Sequence, residues 1–383
     1  MSNAYPCHES IDLRDYGWTP ELADSFAPFE KSQPHSLPGR ILVEHRQYYL
    51  VQTVHGEGRA LISGSLRYRA EHQRAERPAV GDWVVLWPTH TARANEMPNY
   101  KIHEVLPRHS KVSRQSSGQK TREQVLGANL DTLLIVTSLN QDFNLRRLER
   151  YLSLAHHHEI QPVVILNKAD LCDKADLCDN AEERVAALLP ILGDVPHVVL
   201  SALNQTGLEQ LTPFLGAGKT LALVGSSGVG KSTLLNALSG SDHQATGAIR
   251  NDDDRGRHTT VHRELFLLPE QRGLILDAPG FRELQLWDGQ GMEQAFADIQ
   301  ELLSQCRYRN CRHEKEGGCA IQNALKAGQL DKKRWRNYLK LSNEQLYLEQ
   351  RKQRHREIEK KVRAKRAYKK ARTRALYGML KSR

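Results

Sequence analysis

Gly225-Ser226-Ser227-Gly228-Val229-Gly230-Lys231-Ser232 follows the apolar run Thr220-Leu221-Ala222-Leu223-Val224 and opens a helix-forming stretch, Lys231 to Leu238. Strand, glycine-rich loop and helix in that order are the context in which G-x-x-x-x-G-K-[ST] cradles phosphates. Backbone N–H groups then converge on the ligand at the positive end of a helix. Glycines 225, 228 and 230 let the backbone approach the phosphates. Lys231 is expected to reach the β- and γ-phosphates, and the Ser232 hydroxyl to hold Mg²⁺. Ser226, Ser227, Val229 and Thr233 complete this candidate nucleotide-binding stretch.

Other motifs surround it, each after an apolar run. Upstream, Asn167-Lys168-Ala169-Asp170 follows Pro162–Leu166 and fits N-K-x-D. The Asp170 carboxylate can accept hydrogen bonds from N1–H and the 2-amino group of guanine. Lys168 is expected along the base plane, and Asn167 as a brace between loops. Ser201-Ala202-Leu203 fits the loop that contacts guanine O6 through backbone N–H groups. Downstream, Asp277-Ala278-Pro279-Gly280 follows Gly273–Leu276. Asp277 is placed to hold Mg²⁺ through water, and Gly280 to offer its N–H to the γ-phosphate.

Between the phosphate loop and Asp277 lies Arg257-His258-Thr259-Thr260, after a polar run such as a switch loop requires. One threonine is expected to complete the Mg²⁺ shell, with Thr260 preferred. His258 is open between a catalytic histidine and an ordinary loop histidine near phosphates. Together the motifs point to GTP rather than ATP. In an ordinary GTP-binding domain the phosphate loop precedes the guanine reader; here it follows. The order is that of a GTPase domain cut after D-x-P-G and rejoined at its original termini, which is feasible because domain termini often lie close together.

From Leu130 apolar runs alternate with helical stretches such as Leu145–His157 and Ala181–Leu189, which indicates a parallel sheet with crossover helices. Before it, between Arg40 and Leu106, five strand-like runs are separated by turns: Ile41–Val43, Tyr48–Thr53, Arg59–Ser63, Asp82–Trp87 and Lys101–Val105. A small OB-type barrel is the first candidate and a generic β domain the alternative. The expected architecture is therefore multidomain. Residues 1–36 read as a flexible, poorly ordered arm, 37–112 as an OB-fold β barrel and 113–284 as a circularly permuted α/β P-loop G domain. Residues 285–350 read as a helical zinc-binding domain and 351–383 as a basic tail.

Cys306-x₄-Cys311-x-His313-x₅-Cys319 places three thiols and an imidazole within fourteen residues. Cys₃His is a closed tetrahedral zinc set, with no open position for water, so one zinc with a folding role is expected. By contrast His156-His157-His158 reads as solvated helix surface. The other cysteines show no disulfide spacing, which fits a reducing, cytoplasmic setting. No run of 18 apolar residues appears, so no membrane span is expected, and Met1–Pro6 lacks the pattern of a secretory signal. Charge is concentrated at one end. Arg351 to Arg383 holds fifteen Lys or Arg against two Glu, a balance of +13, leaving residues 1–350 at −3 of the chain's net +10. Such a tail attracts phosphates without regard to sequence and in a salt-sensitive way.

With barrel, permuted motifs and cysteine cluster assembled, residues 37–345 resemble the RsgA (YjeQ) family of circularly permuted GTPases. The resemblance implies a late-acting factor on the 30S ribosomal subunit that contacts 16S rRNA, exchanges GTP and GDP, and is stimulated by the subunit. A monomer is expected. Where Ras-like GTPases place a water-orienting Gln, the chain has Phe281, so intrinsic hydrolysis should be slow. Asp277-Ala278 stands where Asp-Thr is commoner in the family. On residues alone, two alternatives stay open: a non-enzymatic RNA-binding scaffold with GTP as structural ligand, and a P-loop ATPase.

Overall fold

The apolar runs pair edge to edge into one continuous eleven-stranded sheet that begins as a barrel and ends as a parallel sheet. A computed structural model describes residues 11–73, 77–89, 99–115, 123–138, 144–171, 181–240, 263–277, 291–314, 316–347, 349–350, 353–354 and 357. Strands β1 (Leu37–Glu44), β2 (Tyr49–Thr53), β3 (Gly56–Ile62), β4 (Trp83–Pro88) and β5 (Asn99–Val105) pair in the order β1-β2-β3-β5-β4. Antiparallel pairing of β1 with β4 closes the ring. Closure removes the sheet edges, and a helix, α2 (Gly64–Gln73), lies in the connection from β3 to β4. Ile41, Val51, Ala60, Leu66, Val84, Leu86 and Ile102 fill the interior. The expected OB barrel is what the chain forms.

A hairpin of β6 (Lys111–Gln115) and β7 (Glu123–Ala128), not expected from the sequence, links the barrel to the second half. There β8 (Thr132–Ser138), β9 (Gln161–Asn167), β10 (His197–Val199), β11 (Thr220–Val224), β12 (Glu264–Leu267) and β13 (Leu274–Asp277) lie in the order β10-β9-β8-β11-β13-β12. All neighbours are parallel except β12 against β13. β11 is buried throughout and β8 at every position but Thr137, as near-continuous Leu, Ile and Val runs require when helices cover both faces. One covering helix is α3 (Leu145–His157), with Leu148, Tyr151, Leu152 and Ala155 on its inward stripe and Asn144 capping its start. Another is α4 (Ala181–Leu192), and α5 (Lys231–Ser239) follows β11. The chain then continues into α6 (Met292–Ala295), α7 (Ala297–Ser304), α8 (Ala320–Ala327) and a last helix over residues 332–347, α9.

The reading of residues 1–36 as a flexible arm is corrected. From residue 11 the segment is folded: a single turn at Leu13–Tyr16 leads to α1 (Pro20–Ser32), with Thr19 as N-cap and Pro20 at the first helical position. Leu13 and Phe26 are buried, and Trp18 packs edge-on against Phe26 and Trp83. Polar composition hid it, although Thr19-Pro20 followed by Leu22, Phe26 and Phe29 is a capped amphipathic helix.

Segment, barrel and parallel sheet meet at Arg40. This β1 side chain is 1% exposed, and burial pulls its pKa down to about 10. Its guanidinium donates to the Tyr16 carbonyl, the Asn129 carbonyl (3.2 Å) and the Thr220 hydroxyl (2.8 Å) at the head of β11, and lies over the Trp83 ring. A Cβ on Gly17 would lie 2.5 Å from this guanidinium, so the N-terminal turn can seat only on glycine there. Arg40→Ala strips the donor from three groups and leaves a cavity. It is expected to cost about 3 kcal/mol, read from the urea midpoint of the full chain.

Candidate nucleotide site and metal centre

Parallel strands bring their carboxyl ends to one edge of a sheet, where open α/β sheets bind ligands. Four of the motifs lie at that edge: Asn167-Lys168-Ala169-Asp170 from the last residue of β9, Ser201-Ala202-Leu203 after β10, the glycine-rich loop after β11, and Asp277 at the end of β13.

Asn167 ties three of these loops together. It is buried, its side-chain amide donates to the Val229 carbonyl (2.8 Å), and its amide oxygen accepts from the Ala202 N–H (3.0 Å). Sequence separation between these partners is large, so the brace exists only in the folded chain. Lys168 adopts φ +67, a left-handed conformation that turns the chain sharply before Asp170. The Ser201 hydroxyl donates to the Asp170 carboxylate (2.5 Å) and accepts from Asn204 N–H (3.2 Å), which orients that carboxylate. The sequence reading assigned only backbone contacts to this loop; an S-A-x loop facing an N-K-x-D aspartate is the signal that could have revealed the hydroxyl's role. Ala202 is buried, whereas the Leu203 side chain is exposed.

Two glycines of the phosphate loop are demanded by neighbours. A Cβ on Gly225 would lie 2.3 Å from the Val136 carbonyl of β8, and one on Gly230 would lie 2.3 Å from the Asn167 amide nitrogen. Both have positive φ, +148 and +93. Buried Val229 anchors the loop, while Ser227 and Gly228 form its exposed tip and Ser226 is half-buried. The Lys231 ammonium donates to the carbonyls of Gly225 (2.9 Å) and Ser226 (2.5 Å), and Ser232 and Thr233 lie half-buried in the first turn of α5. Asp277, half-buried, is in register with Glu264 of β12. His258, Thr259, Thr260, Gly280 and Phe281 lie outside the described residues.

In the C-terminal helical unit the ligand atoms of Cys306, Cys311, His313 and Cys319 all lie within 4.8 Å of one another. His313 Nδ1 is 3.6 Å from Cys306 Sγ and 3.5 Å from Cys319 Sγ. Thiolates about 2.3 Å from a zinc ion stand about 3.8 Å apart at the corners of a tetrahedron, so the four donors fit a metal ion of that kind. Cys319 is buried at the start of α8 and accepts from Gln322 N–H (3.5 Å), while the Gln322 amide donates to the His313 carbonyl (2.5 Å). His313 takes φ +60. Edge-on contact of its ring with Trp335 (5.6 Å) ties the cluster to α9.

This unit is seated on α3. Buried Glu149 of α3 pairs with Arg334 and accepts from the Asn337 amide; Arg334 reaches on to Asp298 (2.7 Å) and lies over the Phe296 ring. Burial pushes the Glu149 carboxyl above its ordinary pKa, against the pull of Arg334 and Asn337. Arg150 adds an ion pair to Glu344 (3.1 Å). Gly291 sits so close to α3 that a Cβ would lie 2.2 Å from the Ser153 carbonyl. The docking also corrects the reading of the histidine triplet as solvated surface: His158 is buried and His156 and His157 half-buried. No sequence pattern announced the Glu149 network, since its members are separated by up to 188 residues.

The profile of the RsgA GTPase family matches residues 105–287. A profile for ABC transporters matches residues 208–375, a stretch that also contains the phosphate loop. The small ribosomal subunit biogenesis GTPase RsgA of Opitutus terrae is 42% identical over 342 residues, covering 88% of this chain and 90% of its own. The protein of the same name from Methanosarcina acetivorans is 41% identical, covering 86% and 84%. Among solved structures, YjeQ from Thermotoga maritima superposes with a TM-score of 0.57 at 26% identity, covering 81% of this chain and 99% of its own. YloQ, described as a circularly permuted GTPase, gives 0.55 at 26% identity, covering 81% and 95%. With a barrel ahead of the sheet, a guanine-type loop ahead of the phosphate loop and this identity over most of its length, the chain belongs to the RsgA GTPase family.

Proposed function

We propose that the chain binds and hydrolyses GTP and acts as a late factor in maturation of the 30S ribosomal subunit, on 16S rRNA. The observation that carries this reading is the Asn167 brace, joining the guanine-type loops to the phosphate loop in a chain 42% identical to a small ribosomal subunit biogenesis GTPase. Asp170, held by Ser201, reads N1–H and the 2-amino group of guanine; Lys168 lies along the base. Backbone N–H groups of Ala202 and Leu203 face O6. The N–H groups of residues 225–233 and the Lys231 ammonium take the phosphates. Ser232, Asp277 and Thr260 supply oxygens for Mg²⁺, which, when bound, neutralises phosphate charge. Gly280 offers its N–H to the γ-phosphate, and His258 is the candidate to orient water where Phe281 cannot.

Cys306, Cys311, His313 and Cys319 hold one zinc in a structural role. The protein works as a monomer in the cytoplasm. Its basic residues 351–383 add salt-sensitive attraction to the subunit's RNA. Among the described residues, no helix is long and apolar enough to cross a membrane.

Phosphate release from GTP, with and without purified 30S subunits, tests the reading. Strong stimulation is expected; GTP binding without hydrolysis in either condition would leave a scaffold instead. Base choice has its own test. In Asp170→Asn the acceptor facing guanine N1–H and the 2-amino group becomes partly a donor, so GTP affinity should fall by about a hundredfold or more. Xanthosine triphosphate, with a carbonyl at position 2, should gain. Competition titration checks both.

A further inference from the structure

Among the described residues, β1 is the strand through which barrel and parallel sheet become one sheet. Residues 37–40 of β1 pair with β4 and residues 40–44 with β2, with a register shift between Ile41 and Val43. Beyond that shift, Val43 pairs with Glu264 of β12. Glu264 is in turn in register with Asp277 of β13. Val43, Glu264 and Asp277 thus form one row across three strands, from the barrel wall to the carboxylate at the nucleotide edge.

A side-chain pair flanks this junction. The Arg263 guanidinium donates to the Glu44 carboxylate at 2.9 Å; Arg263 is 11% exposed and Glu44 31%. Arg263 also reaches the Val125 carbonyl of the β6–β7 hairpin at 3.5 Å. Half-buried on the arginine side, this pair is less screened than surface pairs, and losing either partner leaves a poorly solvated charge. In sequence Arg263 stands three residues after Thr260.

We propose that the ion pair of Glu44 and Arg263 carries the small subunit's stimulation of GTP hydrolysis and takes no part in the basal reaction. The pair couples the barrel, a fold that binds nucleic acid, to the β12–β13 row, so that subunit RNA engaging the barrel raises the hydrolysis rate only while the pair is intact. The inference rests on the reading that the 30S subunit stimulates the enzyme. Coupling of this kind travels through contiguous packed and hydrogen-bonded elements, and the row supplies such a route over three adjacent strands.

The test uses the full chain with and without saturating 30S subunits, comparing wild type, Glu44→Gln, Arg263→Gln and the exchange of Glu44→Arg with Arg263→Glu. Basal kcat and KM for GTP are expected to stay near wild type in the single variants. Subunit-stimulated kcat should fall about tenfold, within the range typical of coupled sites, with subunit affinity little changed. The exchange should recover much of the stimulation. Undiminished stimulation in both single variants overturns the proposal. So does loss of basal activity, or an exchange that recovers nothing, since either marks a merely structural contact. A wild-type enzyme that 30S does not stimulate removes the underlying reading, and the proposal with it.

Discussion

Lys231→Ala is expected to lower kcat/KM for GTP by about a thousandfold while the chain remains folded. The ammonium has two carbonyl partners in its own loop, Gly225 and Ser226, at 2.9 and 2.5 Å. These contacts hold a compact point charge over the loop whose N–H groups face the phosphates. When charge builds on phosphate oxygens during transfer, a cation already in place needs no reorganisation, and removing one such preorganised donor costs about two to three orders of magnitude. Fold should be indifferent, because Lys231 is half-buried and the loop is anchored by Val229 and the Asn167 brace instead. Lys231→Arg should rescue little, since a planar fork cannot occupy the spot that a tetrahedral ammonium fills between two carbonyls. Single-turnover phosphate release, with titration of a fluorescent GTP analogue, separates chemistry from binding. A rate within threefold of wild type would remove Lys231 from the phosphate site.

Cys319→Ser is expected to abolish metal binding and to melt the C-terminal helical unit without unfolding the rest. Structural zinc in small domains contributes on the order of 10 kcal/mol, far more than short helices such as α7 and α8 could replace by packing. Cys319 is a ligand candidate and a buried core residue; serine keeps the capping acceptor of α8 but lacks the thiolate that a metal of this kind requires. Metal analysis should fall from about one equivalent to background. Trp335 fluorescence should shift, because its ring packs against His313. A chelator acting on the wild-type chain should reproduce both changes. The nucleotide loops depend on a different apolar cluster, which includes Val229, Leu234 and Leu235 on the opposite face of the sheet from α3. GTP affinity should therefore stay near wild type. A full metal equivalent in the variant would mean that Cys319 is not a ligand.

The permuted order has a structural counterpart. Because the Cys₃His unit follows Asp277 in sequence, covalent connection alone suggests a coupling device. The tertiary structure adds a second attachment. Glu149, Arg334, Asn337 and Asp298 fasten the unit to α3, the helix that follows the strand between β9 and β11 in the sheet. Any motion passed to the unit from the nucleotide edge must work against that buried charge network.

Much of this was legible before folding, for a physical reason. The phosphate loop, N-K-x-D, S-A-L, D-x-P-G and Cys₃His are local: each needs a few neighbouring side chains and a strand or turn, so spacing alone carries the chemistry. The barrel strands and the parallel sheet follow equally from short apolar runs and the turns between them. What the sequence left hidden was long-range. Arg40 meets Thr220 across 180 residues, Glu149 meets Asn337 across 188, and Glu44 meets Arg263 across 219. Each is a charged side chain that composition alone assigns to solvent; Arg40 and Glu149 are taken out of water, and Glu44 is half-buried, by chain segments that only the fold brings together. Residues 11–36 failed for the same reason: a polar segment reads as an arm until Trp83 and Gly218 supply the surface on which Trp18 and Gly17 pack. Sequence by itself supplied the motifs of the candidate nucleotide and metal sites, because those motifs are local. Only tertiary structure decided how barrel, sheet and metal unit are fastened to one another, because burial of a charge is a property of the assembled chain.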